Sequence, residues 1–328
     1  MSTIGIVVGC NGQDGSYLTE LLLEKGYEVH GVIRRASQNT LGNIQHLLDD
    51  PNYYNRNLFI HYLDLNTSEG LAELVENADE VYNLAAQSHV GISFNIPEYT
   101  GDVTGLGATR LLEAIRHSGR AKEIKYYQAS SSEMFGNSAT VQNEDTPMHP
   151  QSPYAIAKLY AYWMTKIYRT GYGMFVVNGI LLNHESPRRS ENFLTRKVTK
   201  AVARIALGKQ TELRLGNLDS ERDWGYAPEY MAVAWKMLQQ DQPDDYVIGT
   251  EETHTIRDFV DQAFKLFGLD WHDYVIQDQA FMRPNDVNHL QADCSKAKRL
   301  LGWNPTVKMA DLVEIMVDAD WQKESESQ

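Results

Sequence analysis

The stretch TIGIVVGCNGQDGSYLTELLLEKGY, Thr3 to Tyr27, decides the fold. Its opening residues form a short, apolar, β-branched run that ends at Gly9, the pattern of a buried parallel strand. Beyond the glycines, Leu18, Leu21 and Leu22 recur at helical spacing and Gly26 supplies the stop. Between strand and helix lie Gly9, Gly12 and Gly15, spaced GxxGxxG. Residues without Cβ permit a tight turn and a close approach of backbone to a pyrophosphate, and the helix N-terminus presents unpaired N–H groups to the phosphates. The glycine spacing alone is a weak signal. Its place at a strand–helix junction makes it a dinucleotide-binding loop.

Outward from this unit the alternation continues. EVHGVIRR, NLFIHYLDL, ADEVYNLAA, EIKYYQAS and GMFVVNGILL read as five more strands, with helical stretches near residues 67–76 and 100–118. Such alternation gives a parallel sheet covered on both faces. The expected class is α/β, a doubly wound parallel, Rossmann-like sheet with a smaller mixed α/β substrate lobe. The expected division is a cofactor-binding domain over 1–182, to which some later segments return, and a substrate lobe mainly over 183–328. The change falls where the polar, turn-rich NHESPRRSENF is followed by helical LTRKVTKAVARIALG.

With 328 residues, 42% hydrophobic and 23% charged, the chain has an ordinary soluble composition. A net charge of −14 argues against a general nucleic-acid binder, although it leaves room for a local basic pocket. Two distant cysteines, Cys10 and Cys294, fit a reducing compartment. No basic segment precedes the first strand, and no apolar run nears the roughly 20 residues of a spanning helix, so a cytoplasmic protein with no membrane partner is expected. His184 and Glu185 have no third ligand at useful spacing, so no metal is expected.

The second strand bears on cofactor choice. NAD-binding folds usually end it with an acid that holds the ribose hydroxyls. Here GVIRRAS places Arg34 and Arg35 there, and guanidinium groups suit a 2′-phosphate, which argues for NADP.

GxxGxxG, Asp64 after the third strand, NLAAQS after the fourth and Tyr154-x-x-x-Lys158 together resemble the extended short-chain dehydrogenase/reductase superfamily. NGQDGSYL, VIRRAS, NLAAQSHV, YQASSSEMFG, SPYAIAKLYAYW, NGILLNHESPRR, GNLDSERDWG and FMRPNDV narrow the resemblance to the GDP-mannose 4,6-dehydratase family. The chain departs from the family pattern at Val8 and Asn11, where threonine is usual, at Ser131 (usually Thr) and at Asp286 (usually Glu).

The resemblance implies C4 oxidation of a GDP-hexose, loss of water across C5–C6 and hydride return to C6. Tyr154 would be the oxidation base. Its ordinary pKa near ~10 is too high, and Lys158, one turn on, would favour the phenolate. Glu133 would abstract the C5 proton, and Ser131, two residues back on an extended strand end, would share its side and bind the C4 oxygen. The implied cofactor contacts run from Gly9, Asn11, Gly12, Gln13, Asp14 and Gly15 through Arg34, Arg35 and Ser37 to Asp64, Leu65, Leu84, Ala86, Ser88 and Tyr99. Lys158, His184 and Arg189 complete them. Substrate contacts are expected at Ser88, Glu133, Asn183, Lys197, Arg222, Arg283 and Asp286. In the family the SPRR loop crosses a tetramer interface, so Arg189, with Arg188 beside it, is expected to reach a neighbour's NADP. The motifs also admit a related GDP sugar such as a GDP-manno-heptose, or a 4-keto reductase or epimerase.

Overall fold

The computed structural model describes residues 2–38, 40–138, 141–282 and 284–326. Six strands follow the expected order: β1 (Ile4–Val8), β2 (Glu28–Ile33), β3 (Leu58–Tyr62), β4 (Glu80–Asn83), β5 (Lys125–Ser131) and β6 (Phe175–Leu181). A seventh, β7 (Asp245–Ile248), comes from the second half of the chain and pairs with β6. All pairings in this sheet are parallel, in the order β7-β6-β5-β4-β1-β2-β3.

Strand alternation sorts the side chains to two faces. Ile6, Val81, Tyr126 and Val176 pack with Leu111, Leu112 and Ile115 of helix Gly107–His117. Their neighbours Val7, Tyr82, Tyr127 and Val177 pack with Leu18 and Leu22 of helix Gln13–Glu24 and with Tyr230, Met231 and Met237 of helix Ala227–Leu238. A third cluster joins Val198 and Val202 to Phe259, Phe264, Leu312 and Met316, with Leu213 and Trp224 from short strands. The second half of the chain therefore both builds its own core and returns to the sheet.

Two helical stretches differ from expectation. The one near 67–76 shrinks to Leu71–Val75, because the chain arrives through Gly70 in a left-handed conformation. The one near 100–118 opens with a widened π turn, Gly101–Leu106, before regular helix resumes. The turn sets Gly105 against Ala157 and Tyr160, where a Cβ would be 3.3 Å from the Tyr160 ring.

The order reverses between β1 and β4, the crevice where ligands of doubly wound sheets bind. The glycine loop leaves β1 there and Leu84–Ser88 leave β4. The long helix Pro153–Tyr172 flanks the same end. It starts at Ser152, whose hydroxyl accepts the Ala155 N–H, continues through Pro153, and stops at left-handed Gly173.

Candidate active site

Two adjoining hollows occupy the crevice. The first is bounded by the glycine loop: Gly9, Asn11, Gly12, Gln13, Asp14 and Gly15 line it, with Arg34, Asp64, Leu65, Leu84, Ala86, Ser88, Tyr99 and Arg189. Gly9 has φ +88°, and a Cβ on Gly15 would lie 2.1 Å from the Gly9 carbonyl oxygen. Both glycines are required by the backbone, as a dinucleotide loop demands. Asn11 donates from its amide to the Thr40 carbonyl and hydroxyl, both at 3.1 Å, so this departure ties the β2–β3 loop to the rim. The two arginines separate. Arg34 donates to the Tyr99 hydroxyl at 2.8 Å and faces the hollow. Arg35 points the other way, because successive residues leaving a strand alternate sides, and lines a different depression with His30 and His61. Ser37 is exposed and is not among the described residues lining the hollow.

The second hollow is lined by Ser130, Ser131, Ser132, Glu133, Tyr154 and Lys158 on one side and by Asn183, His184, Arg189, Thr195, Asn217, Arg222, Phe281 and Asp286 on the other. Ser88 and Asp14 belong to both hollows. Glu133 does not continue the strand. β5 ends at Ser131, and Ser132–Phe135 form a tight helical turn whose Glu133 N–H is capped by Ser131. The Ser131 hydroxyl accepts from the Glu133 N–H at 3.3 Å. Glu133 thus reaches the cavity by the turn and not by strand alternation.

Tyr154 is 9% exposed and Lys158 is 3% exposed. Burial pushes the Tyr154 phenol up to about 12, against a hydrogen bond to Ser131 that draws it down. Burial also pulls the Lys158 ammonium from an ordinary 10.5 down to about 8, with only the Asp14 charge in opposition. The Lys158 Nζ donates to the Ala129 carbonyl at 2.6 Å and lies 5.8 Å from the Tyr154 ring centroid. In the chain alone, desolvation disfavours both the Tyr154 phenolate and the Lys158 ammonium.

Asp14 and His184 are joined at 2.9 Å, and His184 Nδ1 meets the Leu182 carbonyl at 2.7 Å. Burial works against the Asp14 charge, yet the charge and hydrogen bond of His184, with Arg189 nearby, hold its carboxyl down to about 2. Burial likewise disfavours the His184 imidazolium, but Asp14 more than offsets this and raises its pKa.

Arg189 does not reach outward. Its Nε and one Nη donate to Glu185 at 2.8 and 3.0 Å, and it faces both hollows of its own chain. Arg188 is bound to Glu20 at 2.6 Å and stacks on Tyr17. Within the single chain, the buried Glu185 carboxylate holds Arg189 and the half-buried Glu20 carboxylate holds Arg188. Lys197 is also displaced. Its ammonium donates to the Arg214 carbonyl at 2.6 Å and covers one face of Phe281, so it stands behind the lining. Arg222 keeps its place facing the cavity, with Asp286 at 3.5 Å. The neighbouring Asp223 is occupied elsewhere, accepting from Thr250 and from the Glu251 and Ala292 N–H groups. Arg283 lies outside the described residues. Sequence reasoning missed Phe193, Thr195, Asn217, Trp224 and Phe281 as lining residues; being apolar or short polar groups, they carry no sequence signal of their own.

A glycine loop of the dinucleotide-binding pattern beside a buried Ser–Tyr–Lys set is the arrangement of an extended short-chain dehydrogenase/reductase. The family model described as GDP-mannose 4,6 dehydratase matches residues 6–316. GDP-mannose 4,6 dehydratase 2 of Arabidopsis thaliana is 55% identical over 324 residues, covering 97% of this chain and 86% of the relative. Two solved structures share the fold. UDP-glucuronic acid 4-epimerase from Bacillus cereus, in complex with UDP-glucuronic acid and NAD, has a TM-score of 0.85 at 24% identity, covering 98% of this chain and 100% of its own. RMD from Pseudomonas aeruginosa, complexed with NADPH, has a TM-score of 0.80 at 20% identity, covering 98% and 100%. The chain belongs to the GDP-mannose 4,6-dehydratase family. It is an enzyme, a nucleotide-sugar 4,6-dehydratase and so a hydro-lyase.

Lys158 sets a stability test. Between about pH 8 and 10.5 the unfolded chain keeps a proton that folded Lys158 has lost, so stability rises with pH across that window. Lys158→Met removes the buried ammonium, and the Ala129 carbonyl retains the Gln128 amide as donor at 3.2 Å. At pH 7 the variant should be more stable by roughly 1–3 kcal/mol in urea unfolding, the gain shrinking above pH 8, while turnover is lost. A variant less stable than the parent at pH 7 would refute the buried-charge account.

Proposed function

We propose that the chain converts GDP-mannose to GDP-4-keto-6-deoxymannose with NADP as its resident cofactor. The observation that carries this reading is the meeting of Glu133 and Tyr154, each 9% exposed, in one hollow, where the Ser131 hydroxyl accepts from the Glu133 backbone N–H and bonds the Tyr154 phenol. An oxidation at C4 alone needs only Tyr154. The added carboxylate supports an elimination, since a C4 ketone makes the C5 hydrogen acidic and a base must take it.

The glycine cradle, Asp64 and Arg34 fit a dinucleotide. The bound nicotinamide would supply the acceptor for the C4 hydride and its donor to C6. Tyr154 takes the C4 hydroxyl proton. Because burial holds its phenol protonated in the chain alone, this requires positive charge nearby, which Lys158 and Arg189 supply. Glu133 takes the C5 proton and gives one to the departing C6 hydroxyl. Ser131 holds the C4 oxygen. Asn183, whose buried Oδ1 has no hydrogen-bond partner, and Arg222 bind the nucleotide sugar from the opposite wall. In this reading residues 1–182 with β7 hold the cofactor, and residues 183–328 mainly hold the sugar nucleotide.

Arg34 supports NADP over NAD: it stands at the end of β2, where an acid would hold a ribose diol, and Tyr99 orients it. Along helix Pro153–Tyr172, Ile156, Tyr160, Trp163 and Ile167 form an exposed stripe at spacings of four and three, which supports a homo-oligomer. A tetramer is the assembly the family resemblance implies. Both cysteines are buried and unbridged, and no described helix is long and apolar enough to cross a membrane. These features support a cytoplasmic site of action.

Three measurements test these assignments. With Glu133→Gln, NMR in deuterated water should show no C5 exchange and no loss of water from GDP-mannose; normal dehydration removes Glu133 from the chemistry. Arg34→Ala should weaken NADP binding by about ten-fold or more and leave NAD binding nearly unchanged, as expected for losing a charged hydrogen bond. An unaltered NADP-to-NAD ratio assigns the 2′-phosphate elsewhere. Trp163→Glu should lower the sedimentation mass of the assembly, and a parent protein that is monomeric at working concentration contradicts the oligomer.

A further inference from the structure

The wall between the two hollows carries two ion pairs, Asp14 with His184 and Glu185 with Arg189. The hydrogen bonds fix the charges of the first. Both Asp14 oxygens accept, one from the Gln13 amide at 2.9 Å and the other from His184 Nε2 at 2.9 Å. The Leu182 carbonyl, which can only accept, meets His184 Nδ1 at 2.7 Å. A histidine with an acceptor at each ring nitrogen is an imidazolium. Its remaining surroundings add no competing donor: Tyr230 stacks on the ring at 4.6 Å, and Arg189 is committed to Glu185. The raised His184 pKa agrees with the geometry.

A nicotinamide at the junction of the hollows would change charge beside this wall. The oxidised ring carries one positive charge, and accepting hydride, two electrons and a proton, makes it neutral. A wall holding an unbalanced Asp14 would favour the oxidised form.

We propose that protonated His184 neutralises Asp14 so that the protein holds the oxidised and reduced cofactors with comparable affinity, His184 acting as a positioning and charge-balancing residue. This rests on the cofactor reading above. It answers a need of the reaction, which must keep one cofactor bound through opposite redox states.

The test is the dissociation constants of NADP+ and NADPH at pH 7, by calorimetry, for the parent and three variants. The parent should hold both within a few-fold. His184→Gln keeps a donor to Asp14 but removes the positive charge, and should shift the ratio toward NADP+ by about ten-fold or more, ten-fold being the effect of one unit charge about 12 Å away at an effective dielectric of about 20. Asp14→Asn should leave the ratio near the parent's or move it toward NADPH. The double variant, neutral again, should return close to the parent. A His184→Gln variant that weakens both forms equally, a shift toward NADP+ in Asp14→Asn, or a double variant that keeps the single variant's ratio overturns the charge balance. If the parent binds neither form, the cofactor reading fails and this inference falls with it. If it binds both and the ratio never moves, only the charge balance fails.

Discussion

Gln13 and Asp14 hold the nucleotide loop to a strand that lies 170 residues away in sequence, and the arrangement of both hollows depends on that clasp. The Gln13 amide donates to the His184 carbonyl at 3.1 Å and accepts from the Ser186 hydroxyl at 2.9 Å, while Asp14 binds the His184 ring. A glycine loop needs only its backbone to bind a pyrophosphate. The side chains between its glycines are free for other work, and here they bring Asn183–Glu185 to the crevice. Asn183 then lines the second hollow together with Tyr154. Glu185, two residues on, draws Arg189 back to the wall between the two hollows.

Much of the fold was legible because parallel strands buried on both faces read as apolar β-branched runs, and their junctions carry glycine. β7 was not placed. DYVI is four residues long and becomes a strand only through pairing with β6, a tertiary fact without local signature. In the site, positions set by short-range geometry were readable. Tyr154 and Lys158 share a helix face because they are four apart. Glu133 was assigned to the right hollow for the wrong reason, since the chain turns immediately after Ser131. Arg35 and Lys197 show the limit. A residue type suited to phosphate says nothing of which side of a loop it leaves, or whether a nearer carbonyl and an aromatic face take it first.

Polar burial alone does not mark this site. Arg196 and Asp320 are deeply buried and hydrogen-bonded to each other, and Asp223 is buried with four donors around it. Those groups are satisfied and serve the packing of the second half. Nor does an unpartnered atom suffice: Asn83 Oδ1 and the Tyr127 and Tyr230 hydroxyls have none, yet they line neither hollow. What separates the catalytic wall is both conditions at once. Asn183 Oδ1 is buried without a partner and Lys158 is buried without a carboxylate beside it, and both face the cavity. Each costs stability in the chain alone, Asn183 as an unsatisfied buried group on the order of 1–3 kcal/mol and Lys158 through the desolvation of its charge. A folded protein tolerates such costs in one place when a ligand completes the missing interactions, and the groups left wanting are a donor-seeking amide oxygen and an ammonium beside a phenol. In the proposed function a sugar hydroxyl would satisfy the first and a ribose hydroxyl the second. On the proposed reading, the incompleteness of the wall suits polyhydroxylated ligands.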